Sequence, residues 1–207
     1  MKVTEDFLTA ADGFYMDSLT FKASLDNAAV LPVKGTPFTF GTYEGSALVW
    51  RVLTVDDTNK RALLVTENAV TSMAYHNSSN NWSTSNVRTW LNGTFLNEFT
   101  DAEKAKMLKV SITDGNNTDS TTIINSSGSD TVFLLSVTDA NNTSYFADQA
   151  SRVCKLGESN TNWWLRSPGN AGANYAAFVL DVGSVGAIGI SVYLVGGVRP
   201  AFWMNLD

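Results

Sequence analysis

Any catalytic or metal centre in this chain would have to be built around two residues that occur once each, His76 and Cys154. Zinc sites of the common types need several Cys or His ligands, and one of each does not supply them. A Ser-His-Asp arrangement would have to use His76, which lies in a Ser/Asn-rich stretch, and no nucleophile-elbow motif accompanies it. Calcium asks for converging oxygens. Asp56-Asp57, Asp114 through Asp119 and Asn141-Asn142 could offer some, but polar runs of this kind are ordinarily solvated loops. The carboxylates that could pair for glycoside hydrolysis are scattered, with no apolar pocket signature around them. No phosphate-cradling glycine motif precedes a helix. The expectation is therefore a protein without enzymatic activity, with no catalytic residue, no metal ligand and no cofactor. Cys154 reads as a small buried hydrophobe and, being alone, excludes an intrachain disulfide.

The strongest chemical signal lies at the C-terminus. Trp163-Trp164-Leu165-Arg166-Ser167-Pro168-Gly169 and Gly197-Val198-Arg199-Pro200-Ala201-Phe202-Trp203 bracket a stretch whose only charged residue is Asp181. Arg166 and Arg199 could form an anion-binding pair. The favoured reading makes them buried struts, stacked on Trp163, Trp164 or Trp203 and bonded to carbonyls or carboxylates. Of the six tryptophans, Trp50, Trp90, Trp164 and Trp203 stand in core-like contexts. Trp82 is the one expected to be exposed, which leaves an alternative: a carbohydrate-binding or cell-envelope domain with Trp82 and Tyr75 as its sugar platform.

Length and charge narrow the choice. With 207 residues the chain suits one domain with an extension. A net charge of −6 argues against a nucleic-acid partner, and the only basic cluster, Lys104, Lys106 and Lys109, reads as the solvated face of one helix. No stretch is long and apolar enough to enter a membrane. Met1-Lys2-Val3-Thr4-Glu5-Asp6 is not a signal peptide, so the expectation is a chain that is cytoplasmic on synthesis, with virion association or surface display by another route left open.

The elements that must position the C-terminal stretch read as α+β. Residues 1–28 form an N-terminal extension, as a helix or a short strand pair, packed on the domain or on a neighbouring subunit. Residues 29–207 form the domain itself. Ala47–Val55 and Arg61–Thr66, joined by Asp56-Asp57-Thr58-Asn59, predict an antiparallel hairpin. Pro32 and Pro37 put the segment before it at a sheet edge. Ser78–Val110 reads as helical, with Val87, Trp90, Leu91 and Phe95 on one face, weakened at Gly93. The capping box Thr100-Asp101-Ala102-Glu103 starts a second helix that ends near Leu108, with Ala105 and Leu108 facing inward. Residues 113–130 read as a polar surface loop. Thr131–Ser136 reads as a buried strand, and Ser136-Val137-Thr138-Asp139 as the cap of a short helix. Hairpins are expected around Val182-Gly183-Ser184 and Val195-Gly196-Gly197.

WWLRSPG, the glycine-punctuated apolar hairpin after it and GVRPAFWMNL together resemble the variable proteins of bacterial and phage diversity-generating retroelements. The branch they look like has a C-type-lectin-like fold of the formylglycine-generating-enzyme type. FTFGTYEGSALVWRVL, NVRTWLNGTFLNEF and TVFLLSVTDAN are similar to the same branch, so the resemblance spans residues 36–207. It implies mainly antiparallel strands, two or more helices and long irregular loops. It also implies a ligand-binding region, about residues 163–203, whose identities vary through error-prone copying of template Asn codons. Such copying never yields Lys, Glu, Gln, Met or Trp, and none of these occurs from Asn170 to Val195. The paired cysteines or iron-binding histidines of the family's enzymes are missing, as is the calcium signature of sugar-binding lectins, so only fold and display carry over.

Strand alternation then sorts the region into scaffold and face. Ala177, Val179, Val185 and Val192 are scaffold. Phe178, Leu180, Val182 and Tyr193 point to the ligand. Asn170, Ala171, Asn174, Tyr175, Asp181, Ala187, Ile188, Ile190, Ser191 and Leu194 adjoin them. The alternative, that Phe178, Leu180, Ile188, Ile190 and Leu194 are simply core, stays open at this level. The expected ligand is macromolecular and a protein, since exposed Tyr, Phe, Leu and Ile make an interaction patch. Oligomeric state is not legible.

Overall fold

The structure, a computed structural model, describes residues 31–112 and 128–207. The chain separates into two units, Met1–Leu31 and Pro32–Asp207, and everything below concerns the second. The proposed extension over residues 1–28 lies outside the described residues, as does the polar stretch from 113 to 127.

Strands follow in the order β1 (Pro37–Tyr43), β2 (Ser46–Asp56), β3 (Arg61–Thr66), β4 (Thr71–Ala74), β5 (Met107–Leu108), β6 (Val110–Ile112), β7 (Gly128–Asp130), β8 (Lys155–Leu156), β9 (Ser159–Asn160), β10 (Trp163–Pro168), β11 (Tyr175–Val179), β12 (Val185–Ser191), β13 (Val195–Val198) and β14 (Ala201–Asn205). The short α-helices are α1 (Asn86–Trp90), α2 (Asp101–Ala105) and α3 (Val137–Ala140). Mainly antiparallel strands with a few short helices make this an α+β fold.

Two five-stranded sheets carry the architecture, ordered β1-β2-β3-β14-β5 and β12-β11-β10-β13-β4. The expected hairpin is present as β2–β3, with Val52 opposite Leu64 and Asp56 opposite Arg61. Its turn is fixed by Asp56, which accepts from the Asn59 N–H and the Arg61 guanidinium. Pro37 opens β1 at the sheet edge, where its missing N–H costs nothing. Central β3 is buried along nearly its whole length because both its faces are covered. Aromatics seal one of them: Trp50 meets Phe202 edge-on at 4.7 Å and donates its indole N–H to the Phe40 carbonyl.

The helical region departs from one regular helix. Ser78–Ser85 is a loop and a single 3-10 turn before α1. From Leu91 to Phe95 the backbone widens into a π-turn, and Leu96–Glu98 tightens again to 3-10 geometry. Val87, Leu91 and Phe95 are nonetheless all fully buried, as a stripe four residues apart requires. The Thr100/Glu103 capping box forms as expected. Its helix, α2, stops at Ala105, which is exposed, because Met107 and Leu108 pair with Met204 and Trp203 instead. Ladder bonds to a buried sheet outweigh one more turn of an exposed helix.

Three further expectations change. Thr131–Ser136 is buried from Val132 onward but makes only one bridge, Phe133 to Ala201, so it is an extended core segment and not a ladder strand. Gly128–Asp130, read as part of the polar loop, is β7, paired with β6, and Asp130 is buried. Val195-Gly196-Gly197 is not a turn but strand β13, which runs parallel to β10 and antiparallel to β4. Its glycines admit the neighbouring side chain: a Cβ on Gly196 would lie 2.8 Å from the Trp164 indole.

The chain passes directly from one sheet to the other between β3 and β4 and again between β13 and β14, and Arg199 joins these two crossings. Fully buried, it donates from Nε to the Thr66 carbonyl and from Nη2 to the Glu67 carbonyl, and stacks 4.9 Å from the Trp163 ring centre. Burial lowers its pKa to about 10, so the group still carries its charge at neutral pH. Arg166 is the second strut. It reaches the Leu134 carbonyl and the Asp139 carboxylate, which itself closes the capping box of α3.

Candidate functional site

At one end of the second sheet four segments converge. The loop Asn170–Asn174 leaves β10 and enters β11. The register of β11 on β12 breaks between Ala176 and Phe178, so that Ala187, Ile188 and Gly189 bulge outward. Backbone bonds from Asn170 to the Ala187 carbonyl and from Ala171 to the Ile188 carbonyl fasten the loop to this bulge. Gly169 and Gly189 make that approach possible, since a Cβ on either would come within 2.8 Å of the other's Cα. Gly189 also has φ +86°, which a side chain resists. The turn after β12 joins through Val192 N–H to the Asn174 carbonyl, and the segment after β4 joins through His76 N–H to the Val192 carbonyl.

Large apolar side chains stand open there: Ile188 at 66%, Tyr193 at 55%, Leu194 at 53% and Val195 at 67% exposure. Asn170, Ala171 and Ala173 are exposed beside them. No residue of the loop, the bulge or the turn carries a charge. The result is a neutral, partly apolar surface held by backbone bonds.

Not all predicted face residues belong to it. Phe178 is 7% exposed and is core; its ring fills the space over Gly186, where a Cβ would lie 2.5 Å from it. Alternation failed because it assumes one wet face, whereas α3 packs against β10, β11 and β12, and Ala176 through Val179 are all buried. Leu180, Ala187 and Ile190 are half-buried against the core, and Asn174, Tyr175 and Ser191 are half-buried as well. Asp181 and Val182 are exposed but occupy the opposite end of the β11–β12 hairpin. That tip docks on the segment before β8, with Gln149 donating to the Val182 carbonyl and Arg152 to the Gly183 carbonyl. The scaffold residues Ala177, Val179 and Val192 are buried as expected, and Val185 is half-buried.

The sugar platform is overturned. Trp82 and Tyr75 are both fully buried. Trp82 donates its indole N–H to Asp130, which also pairs with Arg88, and Tyr75 donates its hydroxyl to the Arg166 carbonyl. An aromatic in a polar stretch looked exposed because its partner, Asp130, lies 48 residues away in sequence.

Two residues outside the C-terminal stretch complete the site. Asn80 is buried; its amide donates to the Gly172 and Tyr175 carbonyls at 3.1 and 2.9 Å, and its own N–H to the Ala173 carbonyl at 2.7 Å. His76 Nδ1 accepts from the N–H groups of Ser78 and Ser79. Nothing in the sequence marks either one, apart from His76 being the sole histidine.

Elsewhere the described residues line open clefts, among them a pair of about 530 Å³ each. One includes Glu44 and Glu67, the other Arg51, Tyr145 and Glu67. Burial by itself would raise the Glu67 carboxyl, but the Arg51 hydrogen bond and charge, helped by Arg199, hold it below its ordinary value. A carboxyl so held stays ionised and makes a poor general acid. Cys154 is buried and its thiol is pushed up, chiefly by desolvation. Among the described residues no group of three or more His, Cys, Asp or Glu side chains could hold a metal ion, and no helix is long and apolar enough to cross a membrane.

A family model described as "Domain of unknown function (DUF6273)" matches residues 59–206, which takes in both sheets from the β2–β3 turn onward and the whole of the loop face. No curated protein and no solved structure matches the chain.

Proposed function

We propose, for a chain that belongs to the DUF6273 family, that it is a non-enzymatic binding domain which presents the loop face at the end of its second sheet to a protein ligand. One observation carries this: Ile188, Tyr193, Leu194 and Val195 stand exposed on the bulge, the turn and the strand start, segments that backbone bonds fasten to the loop and to the sheet. Exposed apolar side chains cost solubility and, when clustered, mark interaction surfaces. An aromatic on a fixed backbone loses little entropy on binding, and flanking Ser, Asn and Ala residues adapt to hydrogen-bonding partners. The absence of charge on the face disfavours an ionic ligand.

The resemblance of the end motifs to retroelement variable proteins supports two finer readings: a C-type-lectin-like form for the frame, and a face whose identities differ between copies. Neighbouring DNA tests the second. A near-copy of the codons for residues 163–203 that differs only at adenines, beside a reverse transcriptase, is the expected finding; without it the variability reading fails.

Binding itself is tested by photo-cross-linking. A photoreactive residue is placed at Tyr193 and, as a control, at Val49, which is exposed on β2. A partner captured only from position 193, and lost in an Ile188→Asp/Leu194→Asp variant whose melting temperature is unchanged, is the expected result. Equal capture from both positions, or capture indifferent to the two charges, overturns the proposal.

A further inference from the structure

We infer that the segment from His76 to Asn80 governs the shape of the ligand loop, and that protonation of His76 changes that shape. This rests on the proposed binding face but concerns its regulation, by residues outside the variable stretch. His76 Nδ1 accepts from Ser78 N–H at 2.9 Å and from Ser79 N–H at 3.1 Å, with the Ser78 hydroxyl at 3.3 Å. A ring nitrogen facing two backbone donors holds its lone pair toward them, which places the single ring proton on Nε2. Adding a proton at Nδ1 turns that acceptor into a donor. Both amides then lose their partner and the turn that ends at Asn80 loses its closure.

Asn80 passes the change on. It is buried, and its three donations to Gly172, Ala173 and Tyr175 are the bonds from this segment to the ligand loop. His76 has a second route, because its own N–H donates to the Val192 carbonyl, directly beside Tyr193. The elements around His76 offer little to compete with this device. The turn it bonds to carries Tyr193. On α1 the charged residue is Arg88, whose guanidinium is held by Asp130 and the Ser83 carbonyl. β4, β13 and the Asn170–Asn174 loop contain no charged residue. Histidine changes charge between about pH 5 and about pH 8, where the carboxylates and lysines of an ordinary surface do not.

The test needs no ligand for its first arm. Backbone amide spectra of the full chain are followed from about pH 8 to about pH 5. Ser78 and Ser79 are expected to shift together with Asn80, Tyr175 and Val192 in one transition. His76→Asn keeps an acceptor oxygen in the same place without a proton site in this range, as in an Asx-turn, and is expected to abolish the transition while retaining the high-pH spectrum. Shifts confined to Ser78 and Ser79, or a transition that survives in His76→Asn, overturn the inference. The second arm repeats the position-193 cross-link at both pH extremes. Yield should fall several-fold at the acid end in the parent and hold in His76→Asn. No cross-link at either pH, with the spectral transition intact, removes the binding reading and leaves the coupling standing.

Discussion

The Arg199 guanidinium lies 4.9 Å from the ring centre of Trp163, so the two ends of the charge-poor stretch close on each other inside the core. Trp163 also sits opposite Gly197 in the parallel pair β10–β13. The frame of the loop face is thus held by a stacked cation at its base and by backbone bonds at its loops.

Replacing Arg199 by Lys keeps the charge but gives up the planar stack and one of the two carbonyl bonds. A loss of about 2–4 kcal/mol is expected, read from the denaturant midpoint at constant m-value. A change within about 0.5 kcal/mol would mean that the stack contributes nothing.

Phe178 and Tyr193 give opposite outcomes for the same truncation. Phe178→Ala empties a core position and should cost about 3–5 kcal/mol. Tyr193→Ala should stay within about 0.5 kcal/mol of the parent, since its ring is exposed. Thermal melts of the two variants decide this, and equal losses would place Tyr193 in the core as well.

Gly189→Ala should be costly for two reasons at once. The residue holds φ +86°, and a Cβ would press 2.8 Å from the Gly169 Cα and 2.9 Å from the Ala176 carbonyl oxygen. Both obstacles are backbone, so relief requires the bulge to move, with a loss of about 1–3 kcal/mol. Amide exchange should quicken at Asn170 and Ala171, whose N–H groups bond the bulge. Unchanged protection there would show that the loop is held from elsewhere.

Glu67 supplies a pH dependence with a definite sign. Its folded carboxyl titrates below the ordinary value of 4.5, so the unfolded chain binds its proton more readily. The stability it contributes is complete above that value and is lost as pH falls through the folded one. Glu67→Gln should lower stability in the neutral region and flatten this part of the acid limb, parent and variant converging as pH falls, in urea titrations run from about pH 7 to about pH 3. An identical acid limb in parent and variant would assign the acid sensitivity to other carboxylates.

How much of this was legible in sequence follows the range of the interactions. The β2–β3 hairpin, the Thr100/Glu103 and Ser136/Asp139 capping boxes and the edge position of Pro37 are local, and each stood in the residues themselves. Burial of Arg166 and Arg199 was legible too, because a lone cation among tryptophans and prolines has few other stable settings. Trp82 was misjudged because its partner Asp130 lies in a stretch that reads as solvated loop. The end of α2 was misjudged because pairing with β14 competes with helix propensity across nearly a hundred residues. Phe178 was misjudged because alternation cannot tell a strand with one covered face from a strand with two.

By itself, then, the sequence determined the α+β class, the bracketed neutral stretch and its buried arginine struts. These depend on residue types and on spacings of a few positions. Only the tertiary structure decided which side chains of that stretch reach solvent. It left Ile188, Tyr193, Leu194 and Val195 open on the β12 bulge, the turn after it and the start of β13, and sent Asp181 and Val182 to the far tip of the β11–β12 hairpin. It also bonded Asn80 to the Asn170–Asn174 loop and His76 to the turn after β12. Exposure is a property of what packs across an element, and here the covering comes from α3 and from distant loops.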